Sequence, residues 1–147
     1  MKEVVIIDSV RTGLAKSYRG SFNLTRTDDM TAHVINALLA RNPEIVTEEV
    51  EDVILGVAEP IGEQGNNVAR LGVLLSNLPA NTAATTINRA CSSGVQSIAF
   101  AANQIASGQT QIAMAGGAES ISMFKRQEEG HYQKNPVLMS KRPDIFM

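Results

Sequence analysis

A chain of 147 residues, 44% of them apolar and 19% charged, is long enough to bury a core as one globular domain. Its formal charge of -2 leaves no basic footprint for nucleic acid or an anionic membrane surface. A single cysteine excludes an internal disulfide framework or a cysteine-based metal cluster; with an opening apolar run too short for a secretory signal, a cytoplasmic location is expected.

In chain order, residues 4–7 (VVII) resemble a strand buried on both faces of a parallel sheet, which needs helices on both sides. The Gly-punctuated RTGLAKSYRGSF carries Arg11, Lys16 and Arg19. A phosphorylated ligand would suit these cations, but a solvated loop is the simpler reading and no site is assigned there. Thr27 or Asp28 is placed to cap a helix running to about Arg41, with Met30, Val34, Ala37 and Leu38 on its apolar side and Asn42-Pro43 as its stop. His33 borders that side and reads as packing. After a short turn at residues 47–49, Val53, Ile54, Leu55 and Val57 form a second strand, closed by Pro60 and Gly62. A helix from Asn66 or Asn67 to Leu75 follows, apolar through Val68, Leu71 and Leu75, with a polar lead-in that includes Glu63, Gln64 and Arg70.

The chain is organised around residues 87–98, INRACSSGVQSI. Residues 83–87 are apolar and Thr-rich, as a buried strand would be. Downstream, Val95, Ile98, Ala99, Ala102 and Ile105 recur at helical spacing until Gly108. Cys91 therefore sits at or just before a helix N-terminus, where unpaired N–H groups and the helix dipole favour a thiolate. The amides of Cys91, Ser92 and Ser93 are expected to be free to stabilise an oxyanion on a carbon that the sulfur attacks. The direction of Arg89 is open. By spacing alone, a lone cysteine is more often a small buried side chain than a nucleophile.

Residues 90–118 contain no Asp, Glu, Lys, Arg or His. A helix with no charge on its outer face is expected to be covered on most sides, and its Ser, Gln and Asn residues are too polar for a bilayer span. A strand at residues 111–115 ends in Gly116-Gly117, where another backbone or a ligand can come close. Residues 120–147, with mixed charges and two prolines, read as a long excursion with little regular structure. His131 within it reads as a surface histidine, not a base.

The stretch NRACSSGVQSI resembles the acyl-enzyme cysteine motif of the thiolases, which cleave or make 3-ketoacyl-CoA thioesters. The segments VVIIDSVRTGLAKSYRGSF, EDVILGVAEPIGEQGNNVARLGVLLSNLP, IAMAGGAESISM and MSKRPDIFM fit the same family in order. The resemblance covers the whole chain but only the first of the family's two similar halves. It implies an α/β thiolase-like fold: a mixed sheet with covering helices and a buried central nucleophile helix in residues 1–118, then the truncated start of a substrate-covering loop domain in residues 119–147.

The resemblance further implies that Cys91 is the nucleophile, carries the acyl group as a thioester, and offers its backbone N–H to the oxyanion. Coenzyme A enters as substrate, no bound metal or redox cofactor is needed, and no residue is assigned to binding it. The implied partners are acyl-CoA and CoA, a second copy in a homodimer or dimer of dimers, and a β-oxidation multienzyme complex. A C-terminal half is implied too, bringing an Asn-Glu-Ala-Phe motif, a Gly-His-Pro histidine and a second cysteine. None of these motifs occurs in the 147 residues, so the isolated chain is expected to be inactive and poorly soluble. INRACSSGVQ is more similar to the degradative thiolases of fatty-acid oxidation than to the biosynthetic acetoacetyl-CoA type. A condensing ketoacyl synthase, a thiolase-like lipid-binding protein and a structural half-subunit stay open as alternatives.

Overall fold

The computed structural model describes residues 2–124 and 134–146. Helices and strands alternate: α1 Thr27–Arg41, β1 Val50–Gly56, α2 Val68–Leu75, β2 Ala83–Ile87, α3 Ser93–Ser107 and β3 Ile112–Gly117, followed by the short helices α4 Ile121–Phe124 and α5 Pro136–Lys141. The strands lie in the order β2-β1-β3, and both pairings are parallel. A mixed sheet was expected; among the described residues it is wholly parallel, each strand returning through a helix as parallel pairing requires.

Side chains of β1 alternate between two layers. Val53 and Leu55 share a core with Ile35 of α1 and Ala69 and Val73 of α2, whereas Asp52 accepts a hydrogen bond from Gln104 of α3 at 3.0 Å. The sheet is thus sandwiched, with α1 and α2 on one face and α3 on the other. The loops after β1 and β2 lead to helices on opposite faces, which makes the carboxyl ends of these two strands a topological switch point, the usual crevice for ligands in open α/β sheets.

The helix at residues 27–41 ends where predicted but begins differently. Arg26 is the residue before the first turn and no side chain caps it. Thr27 and Asp28 lie inside the helix and are fully buried, Thr27 bonding to Gln64 at 3.1 Å and Asp28 taking a bidentate pair from Arg26 at 3.0 Å. The buried face is Thr27, Asp28, Thr31, Ala32 and Ile35, rotated from the predicted one because α1 meets α2 through small residues. A Cβ added to Gly72 would fall 2.2 Å from the Thr31 methyl. The same rotation leaves His33 exposed, not packed.

Three further expectations are corrected. Residues 4–7 form no strand, and Val5, Ile6 and Ile7 are 69%, 79% and 63% exposed. Such a run needs a neighbouring strand, and none of the three takes it. The segment is instead tied at its ends, by Lys2 N–H to the Ala106 carbonyl at 3.0 Å and by Asp8 to Arg41 and Asn42 at 2.8 and 3.0 Å. Strand β2 has its predicted limits but is a half-exposed edge, with a partner on one side only among the described residues. Helix α3 is likewise not buried all round: Ser93, Ser97 and Ala101 face the sheet, while Val95, Ile98 and Phe100 are exposed, because one sheet covers only one stripe of a helix.

The last stretch is more regular than expected. Asn135 caps α5, its side chain accepting from the amides of Val137 and Leu138, with Pro136 at the first helical position. Its amide also donates to Asp28 and Asp29 at 3.0 Å each, and Leu138 is fully buried, so α5 is docked against α1 and α2. His131 lies outside the described residues.

Candidate active site

Cys91 follows β2 by four residues and precedes α3 by two. Its thiol is free and exposed. Arriving from β2, the chain is held to the end of β1 by Val57 N–H to the Ile87 carbonyl at 3.0 Å and by Asn88 Nδ2 to the Ala58 carbonyl at 2.9 Å. It then turns sharply at Ala90, whose φ of 48° lies in the left-handed region. That turn brings the thiol to the switch-point end of the sheet at the mouth of α3.

What seats α3 there is the absence of side chains. A Cβ on Gly56, the last residue of β1, would fall 2.2 Å from the Ser93 carbonyl carbon and 2.5 Å from the Gly94 nitrogen. One on Gly117, the last residue of β3, would fall 3.1 Å from the Gly56 oxygen and 3.4 Å from the Gly94 Cα. Backbone therefore touches backbone where the helix begins. One turn later the Ser97 hydroxyl reaches the Gly116 carbonyl at 2.6 Å, fastening the helix to β3.

The amides at the helix mouth are not all free, contrary to expectation. Ser92 N–H is taken by the Arg89 carbonyl and Ser93 N–H by the Ala90 carbonyl, both at 3.1 Å, because the tight turn folds those carbonyls back over the first helical turn. The Cys91 amide remains as the candidate donor. The Arg89 side chain runs along α3 to Gln96, and Arg11, Lys16 and Arg19 are exposed in their loop.

The polar lead-in to α2 has structural work. Gln64, fully buried, bonds to Thr27, the Glu59 carbonyl, the Ser120 amide and Glu119, and Glu119 in turn accepts from the Ala58 amide at 2.7 Å. Arg70 donates to the carbonyls of Ala80 and Thr82, and Asn67 caps α2 while reaching Ala84 and Thr86 of β2. A cavity of about 390 Å³ lies between residues 10–17, α1 and the end of β3; Cys91 is not in its wall.

Cys91 lies at the helix mouth, where the sequence places it, whereas Asn88, the left-handed Ala90, the Ser93 hydroxyl and Gly56 around it were not singled out. For Asn88 a signal existed: asparagine commonly folds its side chain onto the amide two residues on, here that of Ala90.

Comparison with known proteins bears on this arrangement. Residues 4–142 match the model of the family described as thiolase, N-terminal domain. The chain is 43% identical over 146 residues to an Escherichia coli K12 protein named 3-oxoadipyl-CoA/3-oxo-5,6-dehydrosuberyl-CoA thiolase, covering 99% of this chain and 33% of that protein. It is 42% identical over 121 residues to a Vibrio vulnificus 3-ketoacyl-CoA thiolase, covering 82% of this chain and 31% of the relative. The chain thus spans about a third of the length of the curated relatives it matches.

Proposed function

On the premise that this chain belongs to the thiolase family and represents its N-terminal domain, we propose that it supplies the acyl-carrying cysteine of a 3-ketoacyl-CoA acyltransferase. The Cys91 thiolate attacks the keto carbonyl of the substrate, and an oxyanion forms on that carbon. Its collapse breaks the bond between the keto carbon and the adjacent CH₂, releasing the enolate of acetyl-CoA, which takes up a proton. The acyl group stays on sulfur as a thioester. The thiolate of CoA then attacks it, giving an acyl-CoA two carbons shorter and freeing Cys91, so that one difficult displacement becomes two easier ones. The Cys91 N–H is the oxyanion donor contributed by this chain; loss of one such donor costs about 3 kcal/mol of barrier.

The observation that carries this reading is the exposed thiol of Cys91 at the mouth of α3, on the switch-point rim of the sheet. The uncharged outer face of α3 supports a further part of it: a C-terminal thiolase half covers that face and brings the proton-transferring groups. Residues 119–147 begin the substrate-covering domain, and the assembled enzyme is a cytoplasmic homo-oligomer of fatty-acid β-oxidation. One observation favours a second substrate. The Escherichia coli relative aligned along nearly the whole chain is named for 3-oxoadipyl-CoA, an acyl group ending in a carboxylate.

Mixing this chain with a C-terminal thiolase half and a 3-ketoacyl-CoA tests the proposal. Thiolysis, with the acyl mass found on Cys91, is expected, and Cys91→Ser abolishes both while preserving the fold. Thiolysis retained by the Cys91→Ser assembly overturns the assignment. A preference for 3-oxoadipyl-CoA over a 3-ketoacyl-CoA whose chain ends in a methyl group decides between the two substrates.

A further inference from the structure

We propose that Asn88 and Ser93 are paired positioning residues for Cys91, gripping both ends of Ala90 and holding it in a left-handed conformation that alanine alone disfavours. The inference rests on the reading of Cys91 as nucleophile. At φ 48°, Ala90 has neither the freedom of glycine nor a polar side chain to bond locally. Something outside the residue must hold it.

Two side chains do so. Asn88 Oδ1 accepts the Ala90 N–H at 2.8 Å. The Ser93 hydroxyl donates to the Ala90 carbonyl at 2.7 Å and accepts the Arg89 N–H at 2.8 Å. Ser93 is only 3% exposed, so water hardly competes for these bonds. Asn88 is itself braced: its Nδ2 donates to the Ala58 carbonyl, and the Ala58 amide is held by Glu119. The grip therefore passes to the loops after β1 and β3, both fixed relative to the sheet. Strain retained at such a position is a mark of a functional constraint, and the dihedrals of Ala90 set where the Cys91 sulfur and N–H point.

The assays are single-turnover acylation of Cys91 by a 3-ketoacyl-CoA in the mixture with a C-terminal thiolase half, and alkylation of Cys91 by iodoacetamide in the same mixture. Asn88→Ala and Ser93→Ala are expected to lower the maximal acylation rate by about 10²-fold, the penalty of a displacement near 1 Å. The substrate concentration at half-maximal rate should change less than about threefold, because the bulk of the binding surface is untouched. Alkylation at neutral pH is expected to slow in both variants. The decisive measurement is rescue. Glycine adopts the left-handed conformation unaided, so adding Ala90→Gly to either variant should restore most of both rates. Failure of rescue, an unchanged acylation rate, or a loss confined to the half-maximal concentration would overturn the proposal. Should the unsubstituted protein take no acyl group, the reading of Cys91 as nucleophile fails. The clamp is then judged by alkylation alone, and equal rates in all variants would refute it.

Discussion

Gly56→Ala tests how the nucleophile is seated. The new methyl would start 2.2 Å from the Ser93 carbonyl carbon and 2.3 Å from its oxygen. To reach even the short end of ordinary van der Waals contact, 3.4 Å, the mouth of α3 must retreat by about 1.2 Å from β1. Both contacts are backbone, so no side chain can swing aside. Overpacking of this kind costs about 1–3 kcal/mol, and the upper end is expected because strand and helix start are both rigid. A displacement of this size at the reacting atom costs about 10²-fold in rate, equivalent to about 2.7 kcal/mol of barrier. Urea denaturation followed by circular dichroism gives the first quantity, and acylation of Cys91 in the assembled protein the second. Two neighbours calibrate the result. Gly117→Ala meets its nearest atom at 3.1 Å and should fall between, whereas Gly116→Ala meets only a Leu55 methyl at 3.8 Å and should change stability by less than about 0.5 kcal/mol. If Gly56→Ala matched Gly116→Ala in both assays, the backbone-contact account of the site would be wrong.

Asn135→Ala removes the cap of α5 and two bonds to the acidic first turn of α1, leaving buried Asp28 short of a donor. A loss of about 2–3 kcal/mol is expected by urea denaturation, and a loss below about 0.5 kcal/mol would show that the docking of α5 is not held there. Leu138→Ala, at a fully buried position, should cost about 2–5 kcal/mol in the same measurement. Asp8 gives a pH dependence. Hydrogen bonds from Asn42 and from the Ser9 amide, with the Arg41 charge nearby, hold its carboxyl below the usual carboxylate range. The group favours the folded state when ionised, so its tether is complete above the ordinary carboxylate value of about 3.9 and is lost as pH falls through the lower folded value. NMR titration of the Asp8 carboxyl should show a midpoint below that of a free aspartate; a midpoint at or above it refutes the tether.

Much of the fold was legible where local chemistry decides. Residues 83–87 had their strand limits set by composition, and Gly108 ends α3 in the left-handed conformation, φ 81°, that only glycine adopts without cost. Asn66 or Asn67 was expected to open α2, and the structure has Asn67 capping it, its side chain accepting the Arg70 N–H. The misreadings share a different cause: they depend on what lies across space. The VVII run has the composition of a strand but no strand to join, and α3 has no charge but also no second cover within these residues. In Asn135-Pro136 a clear helix-start signal was present, yet the mixed charges around it pointed to loop. The position of Cys91 just before α3 was legible from the strand and helix patterns on either side of it. Ala90 was not, because alanine gives no sign of a positive φ, and neither was Gly56, since a glycine ending a strand can as well mark a simple stop.

The parallel register has one more effect. Because α2 and α3 carry the chain back across opposite faces of the sheet, the segments at the carboxyl rim, after Gly56, Ile87 and Gly117, need not join neighbouring strands to one another. They are spared the geometric duty that a hairpin loop must perform. A change of length farther along these segments leaves the strand pairing intact, provided that Ala58, Asn88 and Glu119 keep the bonds that brace the turn before the sulfur.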